Sequence, residues 1–384
     1  MSWGKVKLGE LYTVHNGLSK GRKYFGAGTP FLTFSTVFNH YFIPDVLSDF
    51  VQATKKEQDS YSILRGDVFV TRTSETTHEL GMSCVALKDY PHATYNGFTK
   101  RMRPIQHDRV LPEYIGYYMR VSSFRNKFQA FSTMTTRASL RNEDLLSLTV
   151  LLPDLKTQHR IAGILSAYDN LIDNNRRQIA LLEEAAQRLY REWFVDLRFP
   201  GYENTKIVDG VPEGWEKKSL SEVAPIITGK RDANFGTAGG KYPFFTCSQT
   251  PIKASSYSFD CDAVILAGNG DFNVKLYRGQ FEAYQRTYVF SPFESSNLYL
   301  LYYAVKDSMC QLFQGASGST IKFLTKRMLE EIMVYIPDEN IRRVFTRICA
   351  SYQRKIEVLK EQINTLSEAR DRLLPKLMSG EIAV

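Results

Sequence analysis

The sequence predicts an α+β fold: two tandem α+β domains, separated and joined by two long helices that form an antiparallel coiled coil, with a pseudo-twofold internal repeat. Three observations carry this. The chain repeats itself, each repeat ends in an unbroken heptad seam, and the segments before the seams split into short β-rich runs bounded by Gly, Asp, Asn and Pro. With 384 residues, 43% of them hydrophobic, both domains can build a core without disulfides or metals.

The elements follow in order. The first globular domain is expected over 1–152 and the second over 198–336, each followed by a helix, at 153–197 and 337–384. At the domain starts Trp3, Leu8, Glu10 and Gly17 answer Trp215, Leu220, Glu222 and Gly229. The run PFLTFS (30–35) answers PFFTCS (243–248), and Tyr117-Tyr118 answers Tyr302-Tyr303. The apolar run GDVFV (66–70) aligns with CDAVI (261–265), which sets Arg72 against Ala267 and Ser74 against Asn269. Helical stretches are expected at 112–125 and 296–313, and the Pro/Gly-rich stretch 199–214 marks the break between copies.

Leu152-Pro153-Asp154 and Ile336-Pro337-Asp338 open the two helices. The first carries Ile161, Leu165, Tyr168, Ile172, Asn175, Ile179, Leu182, Ala186, Leu189 and Trp193 at alternating spacings of four and three. The second carries, at one constant offset, Phe345, Cys349, Tyr352, Ile356, Leu359, Ile363, Leu366, Arg370, Leu373 and Leu377. So narrow an apolar stripe needs a partner helix, and each is the other's natural partner. At 1.5 Å per residue the first seam spans about 48 Å, which makes it a plausible ruler.

Composition narrows the function. Lys and Arg outnumber Asp and Glu by 49 to 41, a net charge of +8 that favours an anionic partner such as nucleic acid. No apolar run approaches the ~18 residues of a membrane span and no signal-peptide core is present, so the expected address is cytoplasmic, with no membrane partner. The five cysteines lack CxxC spacing, which argues against a zinc site or a disulfide framework, and no metal ligands are assigned. All six histidines lie at or before His159. The GTAGGK run (236–241) imitates a phosphate loop but is one residue short and is followed by Tyr242. Asp154 with Glu216, Lys217 and Lys218 is the only carboxylate-lysine set of nuclease type, and its parts fall in different copies. No Gly-x-Ser-x-Gly elbow occurs, nor the Asp/Asn-Pro-Pro-aromatic tetrapeptide of an amino-methyltransferase. No catalytic residue is assigned, so the chain reads as a binder. A coiled-coil structural adaptor is the alternative, and a standalone nuclease or methyltransferase a more distant one.

Loops that read DNA need side chains able to donate to or accept from base edges and phosphates. In the first copy these are Thr33 and Ser35; Arg72, Thr73 and Ser74; and Thr133, Thr135, Thr136 and Arg137. In the second they are Lys230 and Arg231; Ser248 and Gln249; Asn269 and Lys275; Gln285 and Arg286; and Ser317, Ser319, Thr320 and Lys322. Equivalent loops with unlike side chains suit two readers of different sequences.

This arrangement resembles the specificity subunit of type I restriction-modification systems over essentially the whole chain. The segments LPDLKTQHRIAGILSAYDNLIDNNRRQIALLEEAAQRLYREWF and IPDENIRRVFTRICASYQRKIEVLKEQINTLSEARDRLLPKLMSGEI carry the likeness, supported by WGKVKLGEL, WEKKSLSEV and GDVFVTRTS. The resemblance implies two target-recognition domains, each reading one half of an asymmetric bipartite site in double-stranded DNA, with the helices setting the spacer. It further implies a non-catalytic subunit with no cofactor of its own. Two modification (methyltransferase) subunits would supply adenine methylation with S-adenosylmethionine, and restriction (translocase/endonuclease) subunits, where present, would use ATP and Mg.

Overall fold

The computed structural model describes residues 3–74, 79–129, 138–316 and 322–384. The chain forms two compact units, one of Met1–Asn175 with Gln362–Val384 and the other of Arg176–Glu361. Each unit therefore holds one globular domain and a half of each long helix.

In the first unit β1 (Gly4–Lys7) runs antiparallel to β11 (Thr149–Leu152), the strand that feeds the first long helix, with Gly4 opposite Leu152. The central sheet has the antiparallel order β2 (Tyr12–Asn16), β9 (Thr99–Pro104), β5 (Val68–Thr71), β7 (Ser83–Val85). All four residues of β5 are buried because both its faces are covered, which is why VFVT reads as a continuous run rather than an alternation. Val68, Val70 and Met102 pack on Tyr114, Tyr117, Phe124 and Phe128 of the helices Pro112–Tyr118 and Ser122–Gln129. On the other face Phe69 meets Leu32, Val37 and Tyr95. There β3 (Phe25–Leu32) lies antiparallel to β4 (Phe50–Val51) and parallel to β8 (Thr94–Tyr95). A short ladder joins β6 (Thr73–Ser74) to β10 (Ala138–Ser139).

The second unit repeats the plan. After a hairpin of β12 (Ile207–Val208) and β13 (Val211–Pro212), β14 (Glu216–Ser219) pairs with β21 (Met333–Ile336), with Glu216 opposite Ile336. The hairpin turn is Asp209-Gly210, both at positive φ (51° and 76°), the conformation a tight two-residue turn between twisted strands requires. The main sheet has the order β15 (Ile227–Thr228), β20 (Thr287–Phe290), β18 (Phe259–Ala267), β19 (Val274–Ala283), β16 (Tyr242–Phe245), β17 (Ile252–Ala254).

The ladders correct one sequence alignment. Val68 to Thr71 lie opposite Met102 to Thr99, and Val264 to Ala267 lie opposite Phe290 to Thr287. Thr71 is thus equivalent to Ala267, and Arg72 answers Gly268 rather than Ala267, while Ser74 falls one residue beyond Asn269. The shared aspartates misled the alignment: Asp67 is buried and receives Arg103 Nη2 at 2.6 Å, whereas Asp262 is only half-buried and lies 3.4 Å from Arg278. A one-residue slip in a strand exchanges its faces, so this changes which residues share a role.

The helical stretches expected before each long helix are each split in two, the second into Leu298–Asp307 and Met309–Gly315. In the first, the break frees Arg120, whose guanidinium donates to the carbonyls of Val37, Phe38, His40 and Ser83 at 2.6–2.9 Å.

The long helices span Leu155–Tyr190 and Glu339–Ser379. Asp154 and Asp338 cap them, accepting from the amides of Thr157 and Ile341. Within the first unit Ile161 and Leu165 share a core with Leu374, Leu377 and Met378, Asp169 pairs with Arg370 at 2.5 Å, and Asn175 donates to Gln362 at 3.2 Å. Within the second, Ala186, Tyr190 and Trp193 share a core with Phe345 and Cys349. In the first unit partners fall in number as the first helix rises, so the pairing is antiparallel. No seam residue is exposed: Ile172, Ile356 and Leu359 are buried, and Tyr168, Ile179, Leu182, Leu189, Tyr352, Ile363, Leu366 and Leu373 are half-buried. The first helix closes in a π-helical turn, Arg191–Val195, which lets the successive residues Trp193 and Phe194 both reach the Phe345 ring, at 6.0 and 4.9 Å.

Candidate nucleic-acid interface

In the first domain backbone hydrogen bonds gather loops that are far apart in sequence. Asn96 donates to the carbonyl of Leu32, at the entrance of the Thr33 loop, and Thr99 donates to Asn96, closing the turn Asn96-Gly97-Phe98 (3.0 Å each). Arg72 then donates to Phe98 at 3.0 Å, and Leu140 donates to Arg72 at 2.9 Å. The ladder that sets Ser74 opposite Ala138 completes the row. Thr33, Ser35, Arg72, Thr73 and Ser74 thus line one end of the domain, the last two in a strand whose side chains lie outside the described residues. Thr133, Thr135, Thr136 and Arg137 also lie outside them, although β10 follows directly.

The side chains divide by task. Thr33 caps the helix Phe34–Asn39 by accepting from Thr36 at 3.2 Å, while Ser35 is exposed. Arg72 is half-buried. Lys100, the one buried lysine among the described residues, donates to Asn142, and burial first and the Arg72 charge second hold its pKa below the usual lysine range. Two cations held this close raise the local positive potential, which suits a phosphate-rich partner.

The second domain is stitched identically. Tyr284 donates to Phe245 at 3.0 Å, Thr287 to Tyr284 at 2.8 Å, Gly268 to Arg286 at 2.8 Å and Leu324 to Gly268 at 2.8 Å. Gln285 adds a bond to Arg231 at 2.9 Å. Lys230, Ser248, Gln249, Gln285, Arg286 and Lys322 are exposed, and Asn269 and Lys275 are half-buried. All belong to this one end, where a cleft is lined by Thr228, Gly268, Gln285, Arg286, Tyr288 and Phe323. Several are already engaged. Arg231 lies 3.4 Å from the buried Glu282, Gln249 donates to Asp271 at 2.5 Å, and Lys275 donates to the carbonyl of Ser248 at 2.9 Å. Lys322 lies over the Phe313 ring. Ser317, Ser319 and Thr320 lie outside the described residues.

Asn96, Phe98 and Lys100 escaped the sequence reading, which placed Gln285 and Arg286 in the second copy without seeking their first-copy counterparts. The ladder makes those counterparts Gly97 and Phe98.

A family model, the type I restriction modification DNA specificity domain, matches residues 1–184 and 212–368. The chain belongs to that family. Among curated relatives of this specificity chain, the EcoDI specificity subunit of Escherichia coli is 35% identical over 176 residues, 45% of this chain and 39% of that protein. The MjaIX specificity subunit of Methanocaldococcus jannaschii is 25% identical across all of this chain and 94% of its own length. A crystal structure of the type I restriction-modification S subunit from M. genitalium shares the fold, with a TM-score of 0.58 over 98% of this chain and 96% of that one at 16% identity. No helix among the described residues is long and apolar enough to cross a membrane.

Proposed function

We propose that this specificity chain directs a type I restriction-modification complex to a bipartite site in double-stranded DNA, the first domain reading one half and the second the other. The observation that carries this is the identical backbone stitching of the two loop clusters beneath unlike side chains: one frame, two readers. The paired helices set the spacing between halves, and their outward faces hold two modification subunits. Those partners carry S-adenosylmethionine chemistry, and restriction subunits, where present, carry the ATP- and Mg-dependent steps. The chain itself recognises and scaffolds.

The test is methylome sequencing of a host expressing the chain with its modification subunit, against the host without it. A new N6-methyladenine motif of two unlike halves around a fixed gap is expected. Absence of such a motif from a host containing the assembled complex overturns the proposal.

A further inference from the structure

The identical stitching picks out one position in each domain. Phe98 and Arg286 offer their carbonyls to the amides of Arg72 and Gly268, which in turn receive Leu140 and Leu324. Each sits just before the threonine, Thr99 or Thr287, that opens the strand alongside β5 or β18. The backbone of both is thus fixed in the same place by the same bonds, and only the side chain differs.

Among the described residues, Phe98 has no ring partner and the Arg286 side chain no hydrogen-bond or ion-pair partner. Phe98 is 57% exposed, and its ring meets no other aromatic ring among the described residues. An exposed phenyl on a turn held by its neighbours contributes little to folding, and this one is singled out by its backbone bond to Arg72, the same bond that fixes Arg286 on Gly268 in the second domain. Arg286 is exposed at the cleft and makes no ion pair or side-chain hydrogen bond among the described residues, although Arg231, on the neighbouring loop, is paired with Glu282. The residues beside them also differ. The first domain has Arg72 next to Phe98, whereas the second has Gly268, where an added Cβ would stand 2.5 Å from the Arg286 carbonyl and 2.9 Å from the Tyr288 ring. The absent side chain keeps the cleft at Arg286 open.

We infer that Phe98 and Arg286 are the equivalent base-contacting residues of the two domains, Phe98 lying against the 5-methyl group of a thymine in one half-site and Arg286 donating to O6 and N7 of a guanine in the other. This rests on the DNA-reading function proposed above. An apolar ring has no hydrogen bond to offer a base edge, and the thymine methyl is the one apolar group in the major groove; a free guanidinium fork matches the two acceptors of guanine.

The experiment is selection from a randomised duplex library by the assembled complex of chain and modification subunits, with wild type, Phe98→Ala and Arg286→Gln. Wild type is expected to select a motif with a thymine and a guanine at the two positions. Phe98→Ala should relax the thymine alone, and replacing that thymine by deoxyuridine should weaken wild type but not the variant. Arg286→Gln should turn the guanine towards adenine, a change in base preference on the order of 10- to 100-fold at that pair. The half-site read by the unaltered domain should stay unchanged in each variant and so reports on folding. If wild type selects a bipartite motif but the variants keep every base preference, or weaken all positions evenly, the assignment of these two residues falls and the DNA-reading function stands. If wild type selects no bipartite motif, both fall.

Discussion

Arg120 shows how one residue organises a domain end. Its guanidinium is satisfied by four carbonyls, those of Val37, Phe38 and His40 at the end of the helix Phe34–Asn39 and that of Ser83 in β7, and it also lies over the Tyr41 ring. Burial lowers its pKa to about 10, so it stays charged at neutral pH. Arg120→Ala would leave these carbonyls without their donor and should cost about 3 kcal/mol of stability, read from urea denaturation of the full chain. Arg120→Lys should recover little of it, because an ammonium cannot present the same planar fork. Unchanged denaturation midpoints would show that water replaces the guanidinium at no cost. Gln158 has a similar task at the helix root, accepting from Leu111 at 2.8 Å and donating to the carbonyls of Arg109 and Pro153. Its counterpart in the repeat, Arg342, does the work by charge, reaching Glu294 at 2.7 Å.

Among the elements, the helix pair sets the constraints. Asn175, buried and bonded to Gln362, and the Asp169–Arg370 pair, to which Tyr117 adds a 2.5 Å hydrogen bond, are polar contacts in an apolar seam. Such contacts specify register at some cost in stability. Four residues inserted after Asn175 alone would misalign the pairing on one side and should lower thermal stability. Four inserted in both helices, after Asn175 and before Gln362, preserve the pairing and add about 6 Å to each helix. On the proposed function the methylated motif should then keep both half-sites and widen its gap by on the order of two base pairs. An unchanged gap would remove the helices from spacer choice.

For the whole molecule, the net charge of +8 and the loop cations imply binding with a large phosphate component. Affinity of the assembled complex for its site should fall steeply with salt, the logarithmic slope growing by about 0.9 for each phosphate neutralised. A salt-independent affinity would favour the adaptor alternative. The duplication, the heptad seams with their Asp154 and Asp338 caps, and the family likeness were legible because repetition and periodicity are properties of one dimension. So were the polar character of the loops and the split of each copy into short strands. What the string could not show was which loop residues meet. Thr33, Arg72, Phe98 and Leu140 are distant in sequence and adjacent only through strand pairing, and the true equivalence of Arg72 with Gly268 is written in ladder hydrogen bonds. Loop lengths differ between the copies, so the offset drifts along the repeat, and only the pairing of strands in space restores it. Sequence by itself determined the kind of molecule; tertiary structure decided which side chains stand at its reading ends, because a hydrogen bond between strands depends on distance in space and not on separation along the chain.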